Sequence, residues 1–262
     1  MDPLQSALIL IAGVGAGTIN AAVGSGTLIT FPTLLAFGVP PVVANVSNTI
    51  GLVPGSLAGA WGYRRELAGQ RGRILRLGVA ALIGGAVGGI LLLVLPPGAF
   101  EAIVPVLIGL GVVLVITGPR ISRWVAERHG EAPDDPSTSS GHRGKSERWW
   151  VWPAIAMLGV YGGYFGAAQG VLMIAIIGIG VAESLQRLNA LKNILVAITN
   201  GISGLIFALV ADVDWKIAAL IAVGATIGGL LGARIGRRLP PNVLRGVIVV
   251  VGITALVAFL LG

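Results

Sequence analysis

Long apolar stretches divided by short basic or glycine-rich breaks run through the whole chain. Six of them, Val42 to Trp61, Leu75 to Leu95, Ala102 to Gly118, Leu185 to Val210, Ile217 to Ala233 and Val243 to Leu261, are near the length needed to cross a bilayer. A helix needs ~20 apolar residues to traverse the hydrocarbon. Each backbone group in lipid has to be satisfied within its own segment, so these runs predict transmembrane helices. Four shorter runs come in pairs. Leu4 to Ile19 and Thr27 to Phe37 flank the small polar stretch Asn20 to Gly26, and Val151 to Tyr161 and Val171 to Ile179 flank Gly162 to Gly170. Each pair predicts a helix broken at membrane depth, either re-entrant or crossing as two short tilted segments.

Composition sharpens this pattern. The 262 residues are 55% hydrophobic and only 11% charged, too little polar surface to cover a water-soluble core of this size. The expected fold class is therefore an all-α polytopic membrane protein. Cysteine is absent, which removes disulfides, zinc thiolate sites and cysteine nucleophiles. The net charge of +7 does not call for nucleic acid, because the Lys and Arg residues lie in short loops between apolar runs, where they set orientation. The opening Met1 to Ile11 has no basic leader and reads as the start of the mature protein.

One long polar stretch, 122–148, holds both histidines and has no hydrophobic period, so it reads as a flexible linker. It divides the chain into a first repeat, 1–121, and a second, 149–262. The pattern Gly84-Gly85-x-x-Gly88 with Leu95-Pro96-Pro97 returns as Gly228-Gly229-x-x-Gly232 with Leu239-Pro240-Pro241, an offset of 144 residues (228 − 84, 239 − 95). At that offset Gly26 matches Gly170, and with a one-residue slip Asn48 matches Asn193.

Loop charges orient the halves. Arg64, Arg65, Arg71, Arg73 and Arg76 place the loop before Leu77 in the cytoplasm, as do the basic residues of the linker. Asp212 and Asp214 place the corresponding loop of the second half outside, and Arg234, Arg237, Arg238 and Arg245 place its Leu-Pro-Pro turn inside. Equivalent loops fall on opposite faces. The halves are thus expected to be inverted repeats, each a broken or re-entrant helix pair followed by three transmembrane helices, with both termini outside. Trp61, Trp124, Trp149, Trp150, Trp152 and Trp215 all fall at segment ends, where an interfacial belt belongs.

The breaks carry the candidate chemistry. A half-helix N-terminus presents unpaired N–H groups and a positive dipole end, which suits an anion. Gly24, Ser25, Gly26 and Thr27 form one such start, and Gln169 and Gly170 another. If they meet near the midplane they make a two-sided anion cradle; the alternative is that the glycines serve helix packing, as Gly84, Gly88, Gly228 and Gly232 do. Asn20 and Tyr164 in the breaks, with Asn48, Thr49, Lys192 and Asn193 on neighbouring helices, could complete it. Lys192 lies deepest of the basic residues and is either a counter-charge to the anion or a stem that snorkels to the surface beside Arg187. No Asp, Glu or His falls clearly inside a helix, so a carboxylate proton relay has no evident residues, and neither a metal nor a cofactor is implied. A membrane enzyme would need a nucleophile with a base, or a metal cluster, and neither is present in the apolar segments.

In order and spacing the chain resembles the TauE/SafE family of sulfite exporters, also called the toluenesulfonate uptake permease family. The matching features are Ala12-Gly13-x-Gly15-x-Gly17, Gly24-x-Gly26 with Pro32, Asn48-Thr49, Asp214-Trp215, and Gly228-Gly229-x-x-Gly232-Ala233 with Leu239-Pro240 and Leu244-Arg245. The first half departs from the family pattern, carrying Tyr63 to Glu66 where members often have a second Asp-Trp-like element. The resemblance implies secondary transport of sulfite, organosulfonates or related small sulfur-containing anions across a bacterial inner membrane, without a cofactor. An anion channel, or a permease for another small organic anion, would use the same cradle. Assembly into a homo-oligomer is left open.

Overall fold

The computed structural model describes residues 1–128, 148–181 and 183–235, with isolated positions 246, 250 and 253 beyond them. Within these residues every regular element is a helix: α1 (Pro3–Ala22), α2 (Thr27–Ala36), α3 (Pro41–Gly62), α4 (Arg71–Val94), α5 (Pro97–Arg128), α6 (Val151–Tyr164), α7 (Gln169–Gly180), α8 (Leu185–Val210) and α9 (Trp215–Ile235). Apart from positions 246, 250 and 253, the run from Val243 to Leu261 lies outside the described residues, as do the Leu239-Pro240-Pro241 turn and both histidines.

Among the described residues, five helices are long and apolar enough to cross a membrane: α1, α4, the Pro97–Gly118 part of α5, α8, and α9 as far as Arg234. Helix α3 matches them in length but carries Asn45, Ser47, Asn48, Thr49 and Ser56, all buried against protein. Its polar stripe is therefore shielded from lipid, as polar groups on a membrane helix must be. Outward-facing Leu75, Val79, Leu82, Ile83, Val87, Ile90 and Val94 on α4 are largely exposed. In water such a stripe would drive association, whereas in hydrocarbon it matches the solvent.

Two boundaries differ from the sequence expectation. The run Leu4 to Ile19 looked too short to span, yet α1 continues through Asn20 and Ala21 to Ala22, giving 20 residues. The polar Asn20 does not end the helix because its side chain bonds sideways, its amide Nδ2 donating to Ser56 Oγ at 2.9 Å. Likewise α5 runs on to Arg128, seven residues into the segment read as linker.

Helix α1 packs on α9 and α6 packs on α4; α3 packs on α9, α8 packs on α4, and α3 meets α8. Each pairing becomes another when α1 is exchanged with α6, α3 with α8 and α4 with α9. Two glycine ladders make these approaches. Gly84 and Gly88 lie directly on the backbone of α6 at Ala156 and Val160, and Gly228 and Gly232 on that of α1 at Val14 and Thr18. A Cβ at any of the four would overlap a facing carbonyl. At the arginine-rich end, Arg73 pairs with Glu183 at 2.9 Å and Glu183 with Arg187 at 2.6 Å. Arg187 also donates to the Ala68 carbonyl at 3.2 Å, tying the loop before α4 to the start of α8.

Two registers relate the exchanged helices in these contacts. Gly85 lies on Thr199 as Gly229 lies on Gly55, so α3–α4 matches α8–α9 at an offset of 144 (229 − 85, 199 − 55). The broken helices match at 142 instead. Gly24 N–H reaches back to the Ile19 carbonyl as Gly166 N–H does to that of Tyr161 (166 − 24, 161 − 19). Gly24 and Gly166 both take positive φ, 92° and 75°. Structurally Gly26 therefore corresponds to Ala168, and Asn48 to Lys192 (192 − 48), with no slip.

Gly88→Val and Gly232→Val should each lower the thermal stability of the purified protein, by about 1–3 kcal/mol from overpacking alone. Thermal unfolding followed by monodispersity checks this; unchanged stability in both would mean that the ladders are not close packed.

Candidate functional site

Helix α1 stops inside the protein, and its last carbonyls have no continuing helix to receive N–H groups. The partners come from the other half. Lys192 Nζ donates to the carbonyls of Asn20 at 2.9 Å and Ala21 at 3.2 Å. Asn189 Nδ2 and Asn193 Nδ2 each donate to Ala21 at 3.2 Å. The three donors sit at i, i+3 and i+4 on α8, one face of the helix. Lys192 is fully buried, so its side chain does not snorkel beside Arg187. An ammonium at a helix C-terminus also meets the negative end of the macrodipole.

The two breaks meet directly. Gly170 N–H donates to the Gly24 carbonyl at 3.0 Å, and the two Cα atoms are so close that a Cβ on either glycine would strike the other's backbone. The Lys192 stem lies against the same glycine, its Cδ 2.9 Å from where a Gly170 Cβ would sit. Asn20, Gly24, Gly170, Lys192 and Asn193 thus form one junction.

The two helix starts at this junction are unlike. At α7 the Gln169, Gly170 and Val171 N–H groups are taken by the carbonyls of Gly166, Gly24 and Ala168. Ala168 itself is held in the left-handed region at φ 57°. At α2 the N–H groups of Ser25, Gly26 and Thr27 have no hydrogen-bond partner among the described residues, and all three residues are buried. Ser25 Oγ, on a residue 1% exposed, is also without a partner. Three adjacent N–H groups and a hydroxyl left open in a buried place are costly unless something polar sits there. Successive N–H groups at a helix start make a concave, positive nest that suits an anion.

The remaining sequence candidates spread around this centre. Thr30 Oγ1 donates to Asn48 Oδ1 at 2.5 Å, so Asn48 faces α2 one turn below its start. Thr49 is buried beside it. Gln169 turns away, its Nε2 donating to the Leu158 carbonyl at 3.2 Å. The Tyr164 ring stands edge-on to Phe100 in a cluster with Phe31 and Phe165, and its Oη is buried without a partner. Asp214 caps α9 through Oδ1, which accepts from the Ile217 N–H at 3.0 Å. Its own N–H donates to Ser47 Oγ at 3.0 Å.

Two residues escaped the sequence reading. Asn45 Nδ2 donates to the Tyr164 carbonyl at 2.9 Å, at the end of α6, as Asn189 does at the end of α1. They are related by the same offset (189 − 45), and in both the Oδ1 is buried without a partner. That offset was the available signal, obscured by pairing Asn48 with Asn193. Among the described residues no group of His, Cys, Asp and Glu could hold a metal ion.

Lys192→Met removes the bonds to Asn20 and Ala21 while keeping the apolar stem. An orphaned buried acceptor costs about 1–3 kcal/mol, so the variant should unfold at a clearly lower temperature, and Lys192→Gln should recover part of the loss. Equal melting of all three proteins would show that the cap does not support the fold.

The family model described as "Sulfite exporter TauE/SafE" matches residues 9–259. Among curated proteins, a "Probable membrane transporter protein" of Haemophilus influenzae is 24% identical over 93% of this chain and 90% of its own length. One of Sinorhizobium is 23% identical over 97% and 92%, and YfcA of Escherichia coli K12 is 24% identical over 96% and 88%. No solved structure matches significantly.

Proposed function

The chain belongs to the sulfite exporter TauE/SafE family, is a multi-pass membrane transporter, and from that premise we propose that it is a secondary carrier of small sulfur-containing anions, sulfite or organosulfonates. The observation that carries this reading is the open start of α2. Ser25, Gly26 and Thr27 offer three unpartnered N–H groups, with the Ser25 hydroxyl beside them. A tetrahedral or pyramidal oxyanion has several acceptor oxygens and fits such a nest. Asn48, on α3 facing α2, and the buried Thr49 next to it in the chain supply further polar groups. Lys192 contributes through its field: its nitrogen is bonded to the end of α1, while its stem passes the junction next to Gly170.

The contact of Gly24 with Gly170 favours a carrier over an open channel. Backbones that touch and share a hydrogen bond leave no passage between the breaks. An anion held on α2 is released when the two broken helices part, and the exchange symmetry of the helix pairings is what a rocking of one half against the other requires. In this reading the halves are inverted in a bacterial inner membrane, with the arginine-rich loop and the linker in the cytoplasm and both termini outside.

Uptake of radiolabelled sulfite into proteoliposomes, with sulfate, taurine and sulfoacetate as competitors, tests the proposal. Saturable flux is expected, and Ser25→Ala should raise the KM about tenfold, the worth of one hydrogen bond to a charged group. Active, correctly inserted protein that moves none of these anions would sink the sulfur-anion assignment.

A further inference from the structure

The two broken helices end alike in geometry but are capped differently. At the end of α1 the carbonyls of Asn20 and Ala21 receive Lys192, Asn189 and Asn193. The structural counterparts of Asn20 and Ala21, at the offset of 142 that relates the broken helices, are Gly162 and Gly163 (162 − 20, 163 − 21). Both glycines are buried, and neither carbonyl accepts a hydrogen bond from any described residue. The position equivalent to Lys192 on α3 is Asn48, which has no charge and turns to Thr30 instead. At this end Asn45 supplies one amide N–H to the Tyr164 carbonyl, while its Oδ1, on a residue 0% exposed, is left without a partner.

At one end a lysine nitrogen reaches the freed carbonyls, while at the other the Gly162 and Gly163 carbonyls accept from no described residue and no basic side chain stands in its place. Neutral carbonyl and amide oxygens at the negative end of a helix dipole are the donor set for a hard monovalent cation. Half-helix C-termini with freed carbonyls serve this purpose in carriers built from inverted repeats. A proton would need a titratable acceptor, and these oxygens have none to offer. We propose that the C-terminal end of α6, with the Gly162 and Gly163 carbonyls and Asn45 Oδ1, is a sodium-binding site, the mobile counterpart of the Lys192 ammonium. Coupling of this sodium to anion movement rests on the anion-carrier reading; the site itself does not.

The experiment is thermal unfolding of the purified full-length chain, with no anion substrate added, in sodium chloride and in choline chloride at equal ionic strength. A saturable rise in melting temperature specific to sodium is expected. Asn45→Leu should abolish it. Both that variant and Asn45→Asp lose the amide N–H that reaches the Tyr164 carbonyl, but only Asn45→Asp keeps an oxygen in the site, so the two are measured side by side. A carboxylate oxygen in place of the amide should lower the half-saturating sodium concentration about tenfold, one extra charge contact. Identical melting of the wild type in the two salts, or an Asn45→Asp variant with unaltered sodium dependence, would overturn the site. In proteoliposomes, saturable sulfite uptake indifferent to a sodium gradient would overturn coupling and leave the carrier standing. Sodium-specific stabilisation in a protein that moves no tested anion would leave the cation site standing and sink the anion assignment.

Discussion

A helix that ends inside an apolar interior leaves carbonyl oxygens that neither lipid nor water can satisfy, and the arrangement of this molecule follows from where their partners come from. The last turn of α1 is capped in trans by Asn189, Lys192 and Asn193 of α8. The last turn of α6 is capped, more sparsely, by Asn45 of α3. Each half therefore depends on the other to complete its broken helix. The polar stripes of α3 and α8 have to face inward, which brings the two helices together at the centre and leaves α4 and α9 to cover them. Burial of Lys192, costly in isolation, is explained by its two carbonyl partners and by the helix end it faces.

The junction of Gly24 and Gly170 is where this mutual capping meets function. Each helix start needs a carbonyl partner or a ligand. Gly170 takes the Gly24 carbonyl, closing α7, and the α2 start is left with open N–H groups. Two starts that hold equivalent places in the helix pairings have thereby divided their tasks, one holding the halves together and the other presenting donors. The same division appears at the two helix ends, one filled by a lysine and one left with free oxygens. Near-symmetry supplies the scaffold, and the departures from it mark the places where something can bind. The Gly24–Gly170 contact joins the two breaks through one hydrogen bond and one pair of glycines.

Much of this was legible in the residues alone. Apolar runs of spanning length, the two polar breaks, the glycine pairs and the offset of 144 are local patterns, and lipid leaves the backbone little choice but helix. The family resemblance rested on the same glycines. Boundaries were less legible: Asn20 suggested a stop, yet α1 passes through it because Ser56 accepts its amide. The polarity of each candidate was evident as well, but polarity does not say whether a side chain faces a ligand or a neighbouring carbonyl.

That choice was made by packing. Lys192 was recognisable from its depth, but its bonds to Asn20 and Ala21 come from residues 172 and 171 positions away in sequence. Gln169 turned back to Leu158, Asn45 and Asn189 emerged as caps, and the broken helices shifted to an offset of 142. The sequence by itself determined that the chain forms helices in a membrane, with two polar breaks between short helices, because those features follow from hydropathy, spacing and backbone chemistry within each segment. Only the tertiary structure decided which broken end is capped and which is open, because a hydrogen bond between halves depends on how the helices approach one another, and no local pattern contains that distance.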